Sequence, residues 1–431
     1  MTQAAATLGP PGSARPAFLV STASVGNVAL WVAVFLSGFV IKEPAPYELY
    51  MVVLSVVWMA CGLKLRKEFG PLIICMMVYT AGGIAAIPLA SEMAEGAIYI
   101  AVTGFLAITA IFYAAIVSED PRRVRIIQNA YLASGTLVAL IGIAGYFKLF
   151  PGAEFFTLYD RARGTFQDPN VFGPFLVLPA VVLIQGVLRD PITRNGASLL
   201  LLPILLLGIF LSFSRGAWGV ITISTLIVYV LALICEQNAV RRLRLIGIGA
   251  LGLFAVFVLI AIALSIDTVA DMFQQRARLV QEYDGARLGR FARYALGFEM
   301  VLERPLGLGP LEFNKYFPED EHNVYLKGFT TYGWLGGTVY LLMAGWTFAA
   351  LVPLLFKSRP WTPFVQCVFA VFAAHLVLSL IIDTDHWRHM YMLYGIAWGM
   401  IAVDRMERRA LRFWPDSPGA NIPLAKAQRT S

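Results

Sequence analysis

Between Ser198 and Cys235 the chain carries one charge, Arg215, in an otherwise apolar stretch. Comparable apolar runs recur along most of the sequence. A run of roughly 20 apolar residues wound as a helix satisfies its own backbone groups and can cross a bilayer, where lipid offers them no partner. Composition agrees: 58% of the 431 residues are hydrophobic and 14% charged, whereas a soluble domain carries about 25% charged residues. The short alternating runs of a membrane β-barrel are absent. The expected fold class is therefore all-α, a polytopic transmembrane helical bundle of about twelve spans.

The apolar runs place spans at roughly 18–41, 47–63, 71–90, 97–117, 128–150, 171–188, 198–213, 216–235, 245–266, 324–356, 361–382 and 391–404. The first follows a tail, 1–17, with one basic residue, Arg15, and is too long for a signal-peptide core, so it reads as a retained helix. Lys and Arg concentrate in alternate loops. One set holds Lys64, Arg66 and Lys67, then Arg122, Arg123 and Arg125, then Arg189 and Arg194. It continues with Arg241, Arg242 and Arg244, Lys357 and Arg359, and the tail with Arg405, Arg408, Arg409 and Arg412. The opposing short loops 42–46, 91–96 and 383–390 hold only Lys42 and Arg388. Short-loop bias of this kind sets orientation and puts both termini in the cytoplasm. The division expected is a disordered cytoplasmic tail 1–17, one transmembrane domain 18–404 and a basic cytoplasmic tail 405–431, of which 413–431 is also expected to be disordered. The net charge of +7 then faces lipid headgroups rather than nucleic acid. Cys61, Cys75, Cys235 and Cys367 have no zinc or disulfide spacing and read as small core residues.

Two outer segments, 151–170 and 267–323, are long and escape the charge rule. In the second, Leu288, Phe291, Ala295, Phe298 and Leu302 recur at three and four residues, predicting an amphipathic helix. Arg287, Arg290 and Arg293 lie roughly 120° from that stripe. Such a helix could lie on the membrane or cap the bundle while presenting three cations.

Three outer stretches carry candidate chemistry. Arg161-Ala162-Arg163-Gly164-Thr165-Phe166-Gln167-Asp168-Pro169-Asn170 leads into a span. Its guanidinium groups suit phosphate, its Asp168 and Asn170 suit helix capping, and the plainer alternative is a pair of arginines reaching headgroups. In Ser212-Phe213-Ser214-Arg215-Gly216, the arginine sits in a tight outer turn at the lipid boundary. It would cost on the order of 3 kcal/mol inside one continuous helix, and it is either a functional group or a topological anchor. The third stretch, Arg304-Pro305-Leu306-Gly307-Leu308-Gly309-Pro310, lacks the lysine and strand of a nucleotide loop and predicts a turn bringing backbone close to a ligand. His322 follows where the chain re-enters the membrane, placed either to accept a proton or simply to cap. Asp383, Asp385, His386 and His389 have a metal site's composition without its spacing, and capping or water-facing polarity explains them more simply.

The Arg-Gly-Thr-Phe…Asn lead-in at 163–170, the Ser-Phe-Ser-Arg-Gly-Ala turn at 212–217 and the Gly-Leu-Gly-Pro…His-Asn-Val-Tyr-Leu…Gly-Trp-Leu-Gly block at 307–336 occur in that order. Together they resemble the O-antigen ligase and polymerase superfamily of bacterial membrane glycosyltransferases, over about 155–400. The resemblance implies a periplasmic active site in the bacterial inner membrane and an undecaprenyl-pyrophosphate-linked glycan donor. The acceptor it implies is a glycan or lipid A-core hydroxyl, with no cofactor or metal. It implies that Arg215, Arg161, Arg163 and Arg290 bind or stabilise pyrophosphate, with either Arg161 or Arg163 pointing inward. His322 is implied as the catalytic base. Phe313, Tyr316 and Tyr325 could stack on sugars or simply pack. A ligase, a polymerase of carrier-linked repeats, and an anion transporter are the competing readings. A transporter would show internal repeats and broken helices; the sequence suggests neither.

Overall fold

The computed structural model describes residues 22–190, 196–276 and 289–413. The terminal tails 1–17 and 414–431, Arg194, Arg287 and Leu288 lie outside them. The chain is a helical bundle. Its helices are α1 (Thr22–Leu36), α2 (Pro46–Ala60), α3 (Gly70–Ala86), α4 (Met93–Glu119), α5 (Arg123–Tyr146), α6 (Pro169–Phe175), α7 (Val177–Arg189) and α8 (Gly196–Leu211). After them come α9 (Arg215–Cys235), α10 (Ala239–Leu264), α11 (Asp267–Arg276), α12 (Arg290–Leu302), α13 (Phe313–Tyr316), α14 (Val324–Leu351), α15 (Thr362–Leu378) and α16 (Arg388–Phe413).

Each expected apolar segment is helical over most of its described residues. Among the described residues seven helices are long and apolar enough to cross a membrane: Lys67–Leu89, Met93–Glu119, Arg123–Tyr146, Pro169–Arg189, Arg215–Cys235, Ala239–Leu264 and Val324–Leu354. Ser24–Leu36, Pro46–Ala60, Gly196–Leu211 and Thr362–Leu378 are apolar but shorter. At a rise of about 1.5 Å per residue they fall short of the hydrocarbon thickness unless their ends are pulled in.

Packing runs α16 on α4, α3 on α14, α15 on α9 and α7, and α1 on α5. The α3–α14 contact is backbone-close: a Cβ on Gly82 would sit 2.6 Å from the Tyr332 carbonyl oxygen. A polar bridge crosses the core from Gln185 Nε2 on α7 to Gln366 Oε1 on α15 at 2.8 Å. By contrast α10 shows only Leu245 buried and exposes Leu253, Phe254 and Phe257, as suits a helix solvated by lipid. Cys367 is buried, but Cys61 and Cys235 are exposed, so the cysteines are not uniformly core residues.

Two features depart from the sequence reading. α14 is broken at Gly333, whose φ of 66° and ψ of −176° are not helical. The Gly307/Gly309 loop fills the break: Leu308 and Gly309 donate to the Thr330 carbonyl at 2.7 and 3.1 Å, and Trp334 N donates to Pro305 O at 2.9 Å. The close approach that these glycines permit is therefore to helix backbone rather than to a ligand. Side chains are excluded because a Cβ on Gly307 would collide with the carbonyl oxygens of Phe329 and Thr330. The break also removes the absence of broken helices as an objection to a transporter.

The second departure is on α12, where one of the arginines expected to be presented is buried. Arg293, Gly297 and Val301, at four-residue spacing, face the protein, whereas Phe291, Ala295, Phe298 and Leu302 face outward. Arg293 is 1% exposed and pairs with Glu319 at 2.8 Å. Its charge is spent in the fold, not presented. The outward apolar stripe suits an interfacial lipid contact.

The basic loops collect at one end of the bundle. Arg409 meets Glu68 at 3.1 Å, Arg359 meets Glu407 at 3.3 Å, Arg405 donates to Glu68 O at 2.7 Å, and Lys357 pairs with Asp404. The other end joins different loops, through Ser91 N to Glu312 at 2.8 Å, Arg388 to Glu43 at 2.8 Å and Val40 N to Thr165 O at 2.8 Å.

Candidate functional site

At this second end, opposite the basic loops, a cavity of about 580 Å³ opens between five stretches distant in sequence. Its wall includes Arg161, Arg215, Arg290, His322, Asp383 and Trp387.

The first arginine comes from a hairpin, Thr157–Leu158 against Arg161–Ala162. The turn residues Tyr159 and Asp160 have φ of 51° and 55°, the left-handed pair that a two-residue hairpin turn requires. Arg161 is buried and ties three segments together. Its Nε donates to Ser212 O at 2.8 Å and its Nη2 to Asn170 Oδ1 at 2.7 Å. Asp168 caps α6, accepting from Asn170 N at 2.7 Å, while the Asn170 side chain serves the arginine instead of a cap. Arg163, two residues on, points away. It donates to Phe155 O at 2.7 Å and lies over the Phe155 ring, so the structure places Arg161, and not Arg163, in the cavity wall.

Arg215 opens α9. Ser214 caps that helix, its hydroxyl accepting from Ala217 N at 3.3 Å. The turn before it holds Phe213 at φ 45°, a conformation that a bulky residue adopts only where neighbours enforce it. The helix N-terminus adds its own positive partial charge beside the guanidinium. Arg290 is the first residue of α12 and lies in the cavity wall.

His322 sits just before α14, with φ of 50°. Tyr294 donates to its carbonyl at 2.9 Å, and Asn323 caps the helix by accepting from Leu326 N at 3.1 Å. Its imidazole Nδ1 lies 3.3 Å from Asp383 Oδ2. A neutral ring donating from Nδ1 to that carboxylate leaves Nε2 as the proton acceptor.

The acidic and histidine group near 383–389 separates in space. Asp383 joins His322, Asp385 accepts from the Tyr99 hydroxyl, and His386 Nε2 lies 2.9 Å from Thr103 Oγ1. His389 is buried beside His375 and Trp387. Among the described residues no group of three or more His, Cys, Asp or Glu could hold a metal ion. Burial works against charge on Asp385, but Lys327, His386 and the Tyr99 hydroxyl together outweigh it and keep the carboxyl below its usual range. The same balance holds Asp320 at about 2, where burial is overcome by Glu321 and Lys327. Its neighbour Glu321 is pushed well up, by burial and then by Asp320.

Asp383, expected only to cap a helix or face water, thus stands beside the candidate base, and Lys327 was not among the candidates. The latter had a signal: a lysine one turn inside an apolar run is expensive unless partnered. Of the aromatic candidates, Phe313 packs on Phe317, Tyr325 donates to Leu376 O at 2.7 Å, and Tyr316 stacks with Arg304. None of the three is in the cavity wall.

Residues 200–341 match the family model described as O-antigen ligase. The resemblance to the O-antigen ligase and polymerase superfamily is thus shown over that stretch, which contains Arg215, Arg290 and His322 but not Arg161 or Asp383. A search of curated proteins gives no match to the chain.

Proposed function

We propose, from that family match and the cavity, that the protein is a membrane glycosyltransferase. It would move a glycan from undecaprenyl pyrophosphate to an acceptor hydroxyl, as an O-antigen ligase using lipid A-core or as a polymerase extending carrier-linked repeats. The observation that carries the reading is the meeting of Arg161, Arg215 and Arg290, from three separate elements, with a carboxylate-backed His322 around one cavity.

In this reading the acceptor oxygen attacks the anomeric carbon, and the bond to pyrophosphate breaks with its electron pair leaving on phosphate. His322 Nε2 takes the hydroxyl proton. Fixed guanidinium groups stabilise the charge that grows on the leaving group, without reorganisation. Direct attack inverts the anomeric configuration. Arg163, which the sequence put beside Arg161, is left outside the machinery. No step calls on a metal or cofactor.

The same reading takes 18–404 as one transmembrane domain with twelve crossings, the shorter helices included, and places both termini in the cytoplasm and the cavity in the periplasm. It is supported by the basic loops meeting at the end away from the cavity. The break at Gly333 does not favour a transporter, since the 305–309 loop fills it and it is not part of the cavity wall.

Deleting the gene and profiling lipid-linked intermediates tests the reading. Long polymer accumulating on the carrier marks a ligase, single repeats mark a polymerase, and an unchanged glycan profile overturns both. In the complemented strain His322→Ala should abolish transfer, by about 100-fold or more, while the protein still inserts; near-normal transfer removes it as the base.

A further inference from the structure

Lys327 is a buried cation that the proposed chemistry does not use. It lies on α14, 6% exposed, five residues after His322. Its Nζ is 3.2 Å from Asp320 Oδ2, 3.7 Å from Asp383 Oδ2 and 5.6 Å from the Tyr99 ring centre. The Asp383 oxygen it approaches is the one facing His322 Nδ1 at 3.3 Å. One carboxylate oxygen is therefore shared between a lysine and the candidate base.

We infer that Lys327 is a positioning residue, its ammonium fixing Asp383 against His322 Nδ1 and offsetting the surrounding acids so that Nε2 is held toward the cavity as the proton acceptor. The inference rests on the role proposed for His322. It follows from counting the charges around the pair. The loop before α14 contributes Asp320 and Glu321, and the α15–α16 loop contributes Asp383, Asp385 and His386. α4 supplies Tyr99, α14 itself supplies Tyr332, and across the cavity stand Arg161, Arg215, Arg290 and Asp168. Without the lysine, the acids nearest the imidazole would act together to favour its protonated form, which cannot take a proton. Lys327 has the same reach toward its other acids, since against burial it helps hold Asp320 low together with Glu321, and Asp385 low together with His386 and the Tyr99 hydroxyl. A lysine merely closing a gap between loops would not need to share the oxygen that orients the base.

The test reads His322 directly. The chain has four histidines, and His375 and His389 are buried, whereas the His322 side chain is 36% exposed. Diethyl pyrocarbonate modifies neutral imidazole, so peptide mass spectrometry of the detergent-purified protein across pH gives a midpoint for His322. Lys327→Gln should raise that midpoint by about one pH unit, and Lys327→Arg should leave it near the unsubstituted value. Transfer in cells should fall about tenfold with the Gln variant and recover with the Arg variant. An unchanged midpoint in the Gln variant overturns the inference even if transfer falls, because a purely structural lysine would do that. If the Gln variant does not fold, Asp383→Asn replaces it: the midpoint should drop by about one unit, and no change severs the link. The His322→Ala control separates the two claims. Normal transfer in that variant defeats the proposed reaction, while the midpoint decides whether Lys327 governs the imidazole.

Discussion

At one end of the bundle Lys357 and Arg408 close on the buried Asp404, Arg359 meets Glu407 and Arg409 meets Glu68. At the other, Arg161, Arg215 and Arg290 border a cavity of about 580 Å³. Both ends hold cations at the boundary of an apolar bundle, and they are built differently. The first sets them in pairs on α16 and the loops beside it, so most of their attraction is local and screened. The second draws each arginine from a different element, anchors one through neutral oxygens of Ser212 and Asn170, and leaves space between them. Pairing of the first kind joins helices. An arrangement of the second kind suits the anionic leaving group of the proposed reaction.

Substitutions can break that contrast. The largest effect should come from Arg215→Lys, which keeps the charge but loses the planar fork. Transfer should drop about 100-fold with insertion intact, measured as glycan transferred in a complemented deletion strain. A fully active variant would reduce Arg215 to a topological anchor and make the two ends alike. Asp404→Asn should do the opposite, lowering the melting temperature of the purified protein by several degrees. A stability loss of about 1–2 kcal/mol is expected, because Lys357 can still turn toward water. Transfer per folded molecule should not change, and a catalytic defect there would mean that the ends are coupled. The smallest effect should come from Arg163→Ala. Its stacking on Phe155 contributes under about 1 kcal/mol, so transfer should stay within about threefold of the unsubstituted protein. A loss like that of Arg215→Lys would place Arg163 in the machinery.

The sequence reading succeeded where the cause is local or statistical. Apolar runs located the helices, and loop arginines sorted the two ends. Arg215 stood out because nothing else in its stretch is charged. It could not choose between Arg161 and Arg163, because the choice is made by a hairpin turn at Tyr159-Asp160 and by Ser212, far along the chain. It offered both a membrane-surface helix and a bundle cap for α12 and counted Arg293 among the presented cations, whereas that side chain is buried on Glu319, a partner 26 residues away. Asp383 and Lys327 became meaningful only once α14 and the α15–α16 loop stood side by side. Their relation lies in the tertiary fold and leaves no mark in spacing.

The break at Gly333 has a mechanical consequence. An unbroken helix behaves as a stiff rod, and a tilt imposed at one end is felt at the other. In α14 the hydrogen-bond ladder is interrupted and re-made through the 305–309 loop. The segment bearing Lys327, with His322 just before it, is thus braced by its own loop rather than by the shaft below. Strain from a thinner or thicker bilayer, taken up by the lower shaft, meets a joint before it reaches the imidazole.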